Sequence, residues 1–331
     1  MTSKENTKIK VLITGGSGFI GTNLCEFLQS NGYDWLNFDV AEPKIYSHKS
    51  NWKKVDILDF SSFSRELTRF KPHVIMHLAA RTDLRGTSQK HYEVNTVGTE
   101  NLIKSILLQN PQPQKTIFFS SRLVFDIKRI PKHEYDYSAS TAYGTSKVEM
   151  EQIILKNSEQ LNNWTIARPT SIWGPWFETP YKDFFDQVKS RRFLKVKGFN
   201  PVKSFGFVDN LVLRVVHIGI EEQEALSKKA TFLADLKPLS VNDWADLISL
   251  EFGTKKALTV NRRVLKYVAT LGDIIERIVP GRFPLTTFRL DNLLTDMVYN
   301  LDDLADATFP DPTSVSEGVH KTVNWYVTSK G

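Results

Sequence analysis

The chain has 331 residues, 41% hydrophobic and 24% charged, with a formal net charge of +6. That length allows about two domains, and the balance excludes wholesale disorder, collagen-like repeats and a small disulfide scaffold. No apolar run approaches the ~20 residues of a membrane span, and a lone cysteine, Cys25, can build neither an internal disulfide nor a cysteine-rich metal site. The polar start, MTSKENTKIK, lacks the apolar core of a signal peptide. The expectation is a cytoplasmic protein with no metal and no membrane partner.

In chain order, Lys8 to Thr14 is a short apolar run ending in glycines, the pattern of a buried strand. Gly21 to Asn31 reads as a helix with Leu24 and Leu28 on one face. Asp34 to Val40, a segment ending at Asp56-Ile57, Val74 to Leu78, Thr116 to Ser120 and Trp164 to Arg168 read as further strands. Helices over Tyr92 to Gln109 and Ser146 to Asn157 lie between them. Strands alternating with helices predict a parallel sheet covered on both faces.

The pattern changes after Pro169. Residues 171–206 hold a Trp/Pro/Gly-rich loop and a basic stretch. Phe205 to Val208 and Thr231 to Ala234 read as strands returning to the sheet. Ser240 to Phe252 is a helix capped by Ser240. Asn261 to Val279 is a long amphipathic helix, too polar to span a membrane and closed by Pro280-Gly281. The predicted fold is α/β: a Rossmann-like doubly wound parallel sheet over 1–170, with 207–235 returning to it. A smaller, mainly C-terminal substrate-binding domain takes 171–206 and 236–331.

The sharpest motif is Thr14-Gly15-Gly16-Ser17-Gly18-Phe19-Ile20-Gly21, between a strand and a helix. Glycines at 15, 18 and 21 permit a tight turn and let backbone N–H groups approach a pyrophosphate at a helix N-terminus. Phe19 and Ile20 belong to the same cofactor loop. Asp39 ends the second strand, where a carboxylate accepts hydrogen bonds from an adenosine ribose and repels a 2′-phosphate. This argues for NAD over NADP. Asp56 and Ile57 are a weaker signal for the adenine border.

Tyr143 and Lys147 have the i, i+4 spacing that shares one helix face. An ammonium beside a phenol favours the phenolate. Such a phenolate can take a proton from a hydroxyl while hydride leaves the same carbon. Ser120 and Ser121 end the neighbouring strand, where a hydroxyl can hold the substrate oxygen or cap the strand end.

Together these motifs resemble the extended branch of the short-chain dehydrogenase/reductase superfamily, the nucleotide-sugar epimerase/dehydratase family. The resemblance spans nearly the whole chain. It rests on TGGSGFIG, Asp39, Asp56-Ile57, His77-Leu78-Ala79-Ala80, Asn95-Thr96-Val97-Gly98-Thr99-Glu100-Asn101, Ser120 to Phe125, Tyr143 to Lys147, Arg168 to Pro175 and Phe207 to Asn210. It implies that Ala79 and Ala80 line the cofactor, that Ser121 stands at the family's catalytic Ser/Thr position, and that Tyr143 is the acid/base. It further implies that Lys147 binds the nicotinamide ribose and that Pro169 and Thr170 flank the nicotinamide. Asn95 matches an asparagine supporting the lysine's proton relay, or else caps its helix. In related enzymes the helix pair equivalent to 92–109 and 146–157 forms a dimer interface, which implies a homodimer.

Family dehydratases carry an acidic residue just after the catalytic Ser/Thr, and decarboxylases favour a glutamate in the same segment. Here Arg122 and Leu123 follow. Leu123 can transfer no proton, so dehydration and decarboxylation are disfavoured. The expectation is epimerisation of a nucleotide sugar through a keto intermediate, with ketone reduction next and a 3β-hydroxysteroid-type dehydrogenase behind it. An NAD-sensing scaffold is the non-enzyme alternative.

Between 182 and 203, Lys182, Lys189, Arg191, Arg192, Lys195, Lys197 and Lys203 are opposed only by Asp183 and Asp186. The window suits an anionic diphosphate or is a solvated face. Without regular aromatic interleaving it does not suit nucleic acid. Arg191, Arg192, Lys195 and Arg262 are candidates for the diphosphate. Arg81 and Thr82, after the fourth strand, are candidates for substrate selection.

Overall fold

Each apolar run that stops at a glycine or serine forms a strand whose C-terminal end opens onto a loop. The computed structural model describes residues 8–126, 129, 131–278 and 287–329. The first half comprises β1 (Lys10–Thr14), α1 (Phe19–Ser30), β2 (Asp34–Asp39), β3 (Trp52–Lys54), α2 (Phe60–Phe70), β4 (Val74–His77), α3 (Glu93–Leu107), β5 (Lys115–Phe119), α4 (Ala142–Lys156) and β6 (Asn163–Pro169). Next come β7 (Ser171–Trp173), α5 (Tyr181–Lys189), β8 (Leu194–Val196), β9 (Val202–Lys203), β10 (Phe205–Phe207), α6 (Val208–Val216) and β11 (Lys229–Leu233). The chain continues through β12 (Leu239–Ser240), α7 (Val241–Glu251), β13 (Leu258–Val260), α8 (Arg262–Ile278), α9 (Thr287–Leu294), α10 (Asp302–Ala307) and α11 (Val315–Thr328).

The chain divides into two compact units. One holds the residues up to Thr170 with Val208–Ala234 and Leu301–Pro312; the other holds Ser171–Phe207, Asp235–Asn300 and the chain from Thr313. In the first unit a seven-stranded sheet runs β11-β6-β5-β4-β1-β2-β3. Every neighbouring pair is parallel. Strand order reverses between β1 and β4, so their C-terminal ends frame the crevice where such sheets bind ligands. β4 and β5 are buried along their whole length, as a parallel sheet covered on both faces requires. Leu12, Phe38, Phe63, Ile75, Leu102, Phe118 and Ile154 anchor its core. Each such side chain contributes roughly 1.5–3 kcal/mol by leaving water.

Several helices start where the sequence supplies a side-chain cap. Asp59 accepts from the Ser62 N–H at α2, Thr141 from Gly144 at α4 and Ser240 from Asp243 at α7. α4 begins at Ala142, earlier than the Ser146 start expected, so Tyr143 and Lys147 both lie on it. α8 is described to Ile278; Val279 and the expected Pro280-Gly281 stop lie outside the described residues.

The expected return of Phe205 to Val208 to the main sheet is not found. β11 takes the open edge of β6, with Leu233 opposite Pro169. β10 instead pairs with β7, Phe205 opposite Ser171. The second unit is built on rings. Trp244 stacks on Phe184 at 4.7 Å and meets Phe205 at 4.6 Å and Trp173 at 5.2 Å between centroids. A smaller cluster of Val196, Leu265, Ala269 and Leu290 joins β8, α8 and α9.

Candidate active site

At the β1/β4 crevice the glycine loop passes against the backbone after β4. Gly15 has φ +77°, and a Cβ there would sit 2.6 Å from the Ala79 nitrogen. A Cβ on Gly21 would meet the Gly15 carbonyl oxygen at 2.4 Å. Only glycine allows this approach, so the loop is built to bring backbone close. Gly18 stands at the N-cap of α1 and offers no side-chain hydrogen bond to the first turn. The helix N-terminus is thus left to an anion rather than to its own cap. Phe19 and Ile20, both half-buried, form that first turn.

Asp39 turns toward this loop. Its Oδ2 accepts from the Ser17 N–H at 3.0 Å and its Oδ1 from the Ala41 N–H at 2.9 Å. Asp56 is exposed and accepts from the Leu58 N–H at 2.9 Å, while Ile57 is buried. Ala79 and Ala80 are half-buried just beyond β4. The donor loop, the uncapped helix end and the ribose-side carboxylate together fit a dinucleotide.

Beneath this crevice a polar chain joins residues that lie far apart in sequence. The Thr99 hydroxyl donates to the Asn95 carbonyl at 2.8 Å. It therefore accepts from His77 Nε2 at 3.1 Å, and His77 Nδ1 accepts from the Thr14 hydroxyl at 2.7 Å. Both ring nitrogens are used by a neutral imidazole. Burial, with the Lys147 charge adding to it, pushes the His77 pKa down to about 3. The ring ties the ends of β1 and β4 to α3.

The Asn95 side chain extends this scaffold. Its Oδ1 accepts from the Arg81 N–H at 2.8 Å, and its Nδ2 donates to the Arg81 carbonyl and to Ser146 Oγ at 2.9 Å. Of the two readings left open for Asn95, the helix cap is excluded, because Tyr92 holds the N-cap position of α3. Ser146, inside the Tyr143–Lys147 motif, also donates to the Tyr143 carbonyl at 2.7 Å.

Tyr143 and Lys147 are buried on α4, one turn apart. The nearby Ser121 hydroxyl favours the Tyr143 phenolate, but burial outweighs this and raises its pKa to about 12. Lys147 Nζ donates to the Phe119 carbonyl at 2.8 Å. Burial brings the Lys147 pKa down to about 7 against the pull of Glu151. In this geometry desolvation is the largest influence on both groups.

The two serines are distinguished. Ser120 Oγ donates to Glu151 Oε1 at 2.5 Å. Ser121 turns to Tyr143 and accepts from the Leu123 N–H at 3.1 Å. Glu151 is also held by Arg168, Nε to Oε1 at 2.9 Å and Nη2 to Oε2 at 2.5 Å, and by the Tyr137 hydroxyl at 2.9 Å. The Arg168 guanidinium lies over Phe125, 5.1 Å from the ring centroid. Pro169 lies opposite Leu233 in the sheet, and the Thr170 N–H donates to the Leu233 carbonyl at 3.1 Å.

Ser121, Tyr143, Lys147, Asn95, Pro169 and Thr170 all belong to the first unit, as do the glycine loop and Asp39. The proposed substrate residues are placed less uniformly. Arg81, in the first unit, pairs with Asp83 at 2.7 Å and covers the Tyr92 ring; Thr82 is exposed. In the second unit Arg191 and Arg192 are exposed, Lys195 pairs with Asp246 at 2.5 Å, and Arg262 stacks over Phe199 at 4.7 Å. Among the described residues no group of His, Cys, Asp and Glu could hold a metal ion.

This sheet order, with its glycine turn at the reversal, defines a Rossmann-type dinucleotide-binding fold. The sequence model of the NAD dependent epimerase/dehydratase family matches residues 11–229, and the chain belongs to that family. Its cofactor is accordingly NAD. The chain is 23% identical to an N-acetyl-alpha-D-glucosaminyl-diphospho-ditrans,octacis-undecaprenol 4-epimerase of Escherichia coli O157:H7, across 95% of this chain and 94% of that protein. It is 22% identical to a 2-alkyl-3-oxoalkanoate reductase of Stenotrophomonas maltophilia, across 95% of this chain and 98% of that one. The UDP-glucose 4-epimerase of Thermotoga maritima, solved with UDP-glucose, superposes with a TM-score of 0.70 at 18% identity, covering 98% of this chain and all (100%) of that one. At that identity the likeness shows the fold.

Proposed function

We propose that the protein is an NAD-dependent epimerase of a nucleotide sugar, acting through a keto intermediate. The observation that carries the reading is the placement of Tyr143 and Lys147 one turn apart and buried on α4, with the Ser121 hydroxyl close enough to Tyr143 to favour its phenolate. The backbone of Gly15 to Gly21 holds the pyrophosphate and Asp39 the adenosine ribose. Ala79, Ala80, Pro169 and Thr170 border the remainder of the cofactor, with Ile57 and Asp56 at the adenine. NAD, when bound, accepts a hydride and returns it.

Ser121 holds the sugar oxygen and Tyr143 takes its proton as the hydroxyl becomes a ketone; the proton goes back when the opposite face is reduced. Lys147, held by the Phe119 carbonyl, binds the nicotinamide ribose and favours the phenolate when charged. Asn95 and Ser146 brace α4 against the Arg81 loop. Leu123 gives no acid for elimination. Similarity to proteins named as a dTDP-L-rhamnose 4-epimerase and a CDP-paratose 2-epimerase supports this substrate class, and Arg191 and Arg192 are exposed cations suited to a diphosphate. The protein works as a homodimer through α3 and α4, where the apolar Val97 is 42% exposed.

The test is to incubate the protein with NAD and a panel of nucleotide sugars. An epimer of unchanged mass supports the reading; loss of one water from the product overturns it. A second reading, ketone reduction, is favoured by the similarity to a reductase over nearly its whole length. Stoichiometric consumption of NADH, with no turnover in its absence, would select it.

A further inference from the structure

α8 presents its apolar side outward. The helix packs through Leu265 and Ala269 onto Val196 and Leu290. On its other side Val264 is 54% exposed, Tyr267 70%, Leu271 44%, Ile274 51% and Ile275 38%. These positions follow the i, i+3, i+4, i+7 spacing of a single stripe. From Val264 to Ile275 the stripe runs about 17 Å at the rise of an α-helix. A water-facing helix normally puts such a stripe inside, and a contiguous exposed one marks an interaction surface.

The charge beside the stripe selects the partner. Arg262, Arg263 and Lys266 are exposed at the N-terminal end of α8, and its first turn holds no acid. Lys197 is exposed beside them, its N–H bonded to the Val260 carbonyl just before the helix. Asp273 is turned inward, accepting from the Thr287 N–H at 3.0 Å and the Thr287 hydroxyl at 2.6 Å. Among the described side chains of this face no carboxylate is left to the cations, so self-pairing would bring them no countercharge. An anionic lipid leaflet supplies both partners: acyl chains for the stripe and headgroups for the lysines and arginines.

We propose that α8 is a peripheral membrane-binding helix that lies in the surface of an anionic bilayer. Among the described residues no helix is long and apolar enough to cross a membrane. Lying in the interface needs only the stripe and its basic border, and Tyr267 suits that boundary with an apolar ring and a polar tip. The inference is independent of which sugar or ketone the enzyme turns over.

The experiment is flotation of the purified full chain with two kinds of vesicle. One is phosphatidylcholine alone; the other contains about one third phosphatidylglycerol. The protein should float with the anionic vesicles, far less with the neutral ones, and detach as salt is raised. Leu271→Ser/Ile274→Ser should abolish flotation. Arg263→Gln/Lys266→Gln should weaken it about twenty-five-fold, since each cation near a leaflet contributes about fivefold. These side chains are exposed, so both variants should keep the NAD affinity and circular dichroism of the parent. Absence of flotation, or flotation unchanged in both variants, overturns the proposal. A wild-type oligomer that Leu271→Ser/Ile274→Ser dissociates, with no vesicle binding, also overturns it and assigns the face to a second copy.

Discussion

Glu151 and Arg168 form a two-pronged ion pair with both side chains buried, 0% and 2% exposed. The pair joins α4 to β6 and, through Ser120, to the end of β5. Its strength depends on every lone pair being used: Glu151 accepts from Arg168, Ser120 and Tyr137. Removing one partner strands the other's charge. Glu151→Gln should therefore cost about 3–5 kcal/mol in a urea melt, whereas Glu151→Met/Arg168→Met should cost less. Equal losses would mean that the network does not hold the charges together.

This arrangement separates the two serines by what each hydroxyl is bound to. Ser120→Ala removes a donor to Glu151 and should lower stability by about 1–3 kcal/mol while leaving most turnover. Ser121→Ala should do the reverse. If Ser120→Ala is the more damaging to turnover, the proposed hydroxyl anchor is the wrong one.

Much of this was legible from the chain. The strand runs ending at Thr14 and Phe119, the glycine loop and the Tyr143–Lys147 spacing are local patterns, so a short window contains them. The bracing was not. His77 finds Thr14 across 63 positions, and Arg168 finds Glu151 across 17. Each is a single polar residue inside an apolar segment, which has no period to detect. Lys195 read as a free cation because Asp246 lies 51 positions away. Phe205 to Phe207 read correctly as a strand, but its pattern does not name a partner; β11 had to take the β6 edge first. The exposed stripe of α8 shows the same gap: periodicity marks an apolar face without saying what covers it.

Lys147 gives a pH test. Its pKa is about 7 in the folded chain, against an ordinary value of 10.5. Between those values the unfolded chain holds the proton and the folded chain does not, so this residue makes stability rise with pH across that window. Below it both states are protonated and the penalty of burial is at its greatest. Lys147→Met should be more stable than the wild type at pH 6, with the gap narrowing by pH 9 in paired urea melts. A gap that widens with pH would reverse the sign. The same variant should lose turnover throughout.

Tyr143→Phe keeps the ring that packs 6.0 Å from Tyr92 but removes the proton carrier. Turnover should drop ~10²–10⁴-fold, the usual contribution of general acid–base catalysis, with NAD affinity retained. Full activity in this variant would remove the proposed mechanism.

Asp39 should set the cofactor choice. Its carboxylate is fixed by two backbone donors, Ser17 and Ala41, and so cannot easily swing away from a ligand on the glycine loop. Each oxygen keeps a further acceptor site for a ribose hydroxyl. A 2′-phosphate at that place would put like charges together and displace the carboxylate from both N–H groups. Calorimetric titration should therefore find NAD tighter than NADP in the wild type. Asp39→Ala should weaken NAD by about tenfold, the value of one charge-assisted hydrogen bond, and bring the two cofactors closer together. Tighter binding of NADP by the unaltered protein would show that Asp39 serves the Ser17–Ala41 turn and leaves the ribose to other groups.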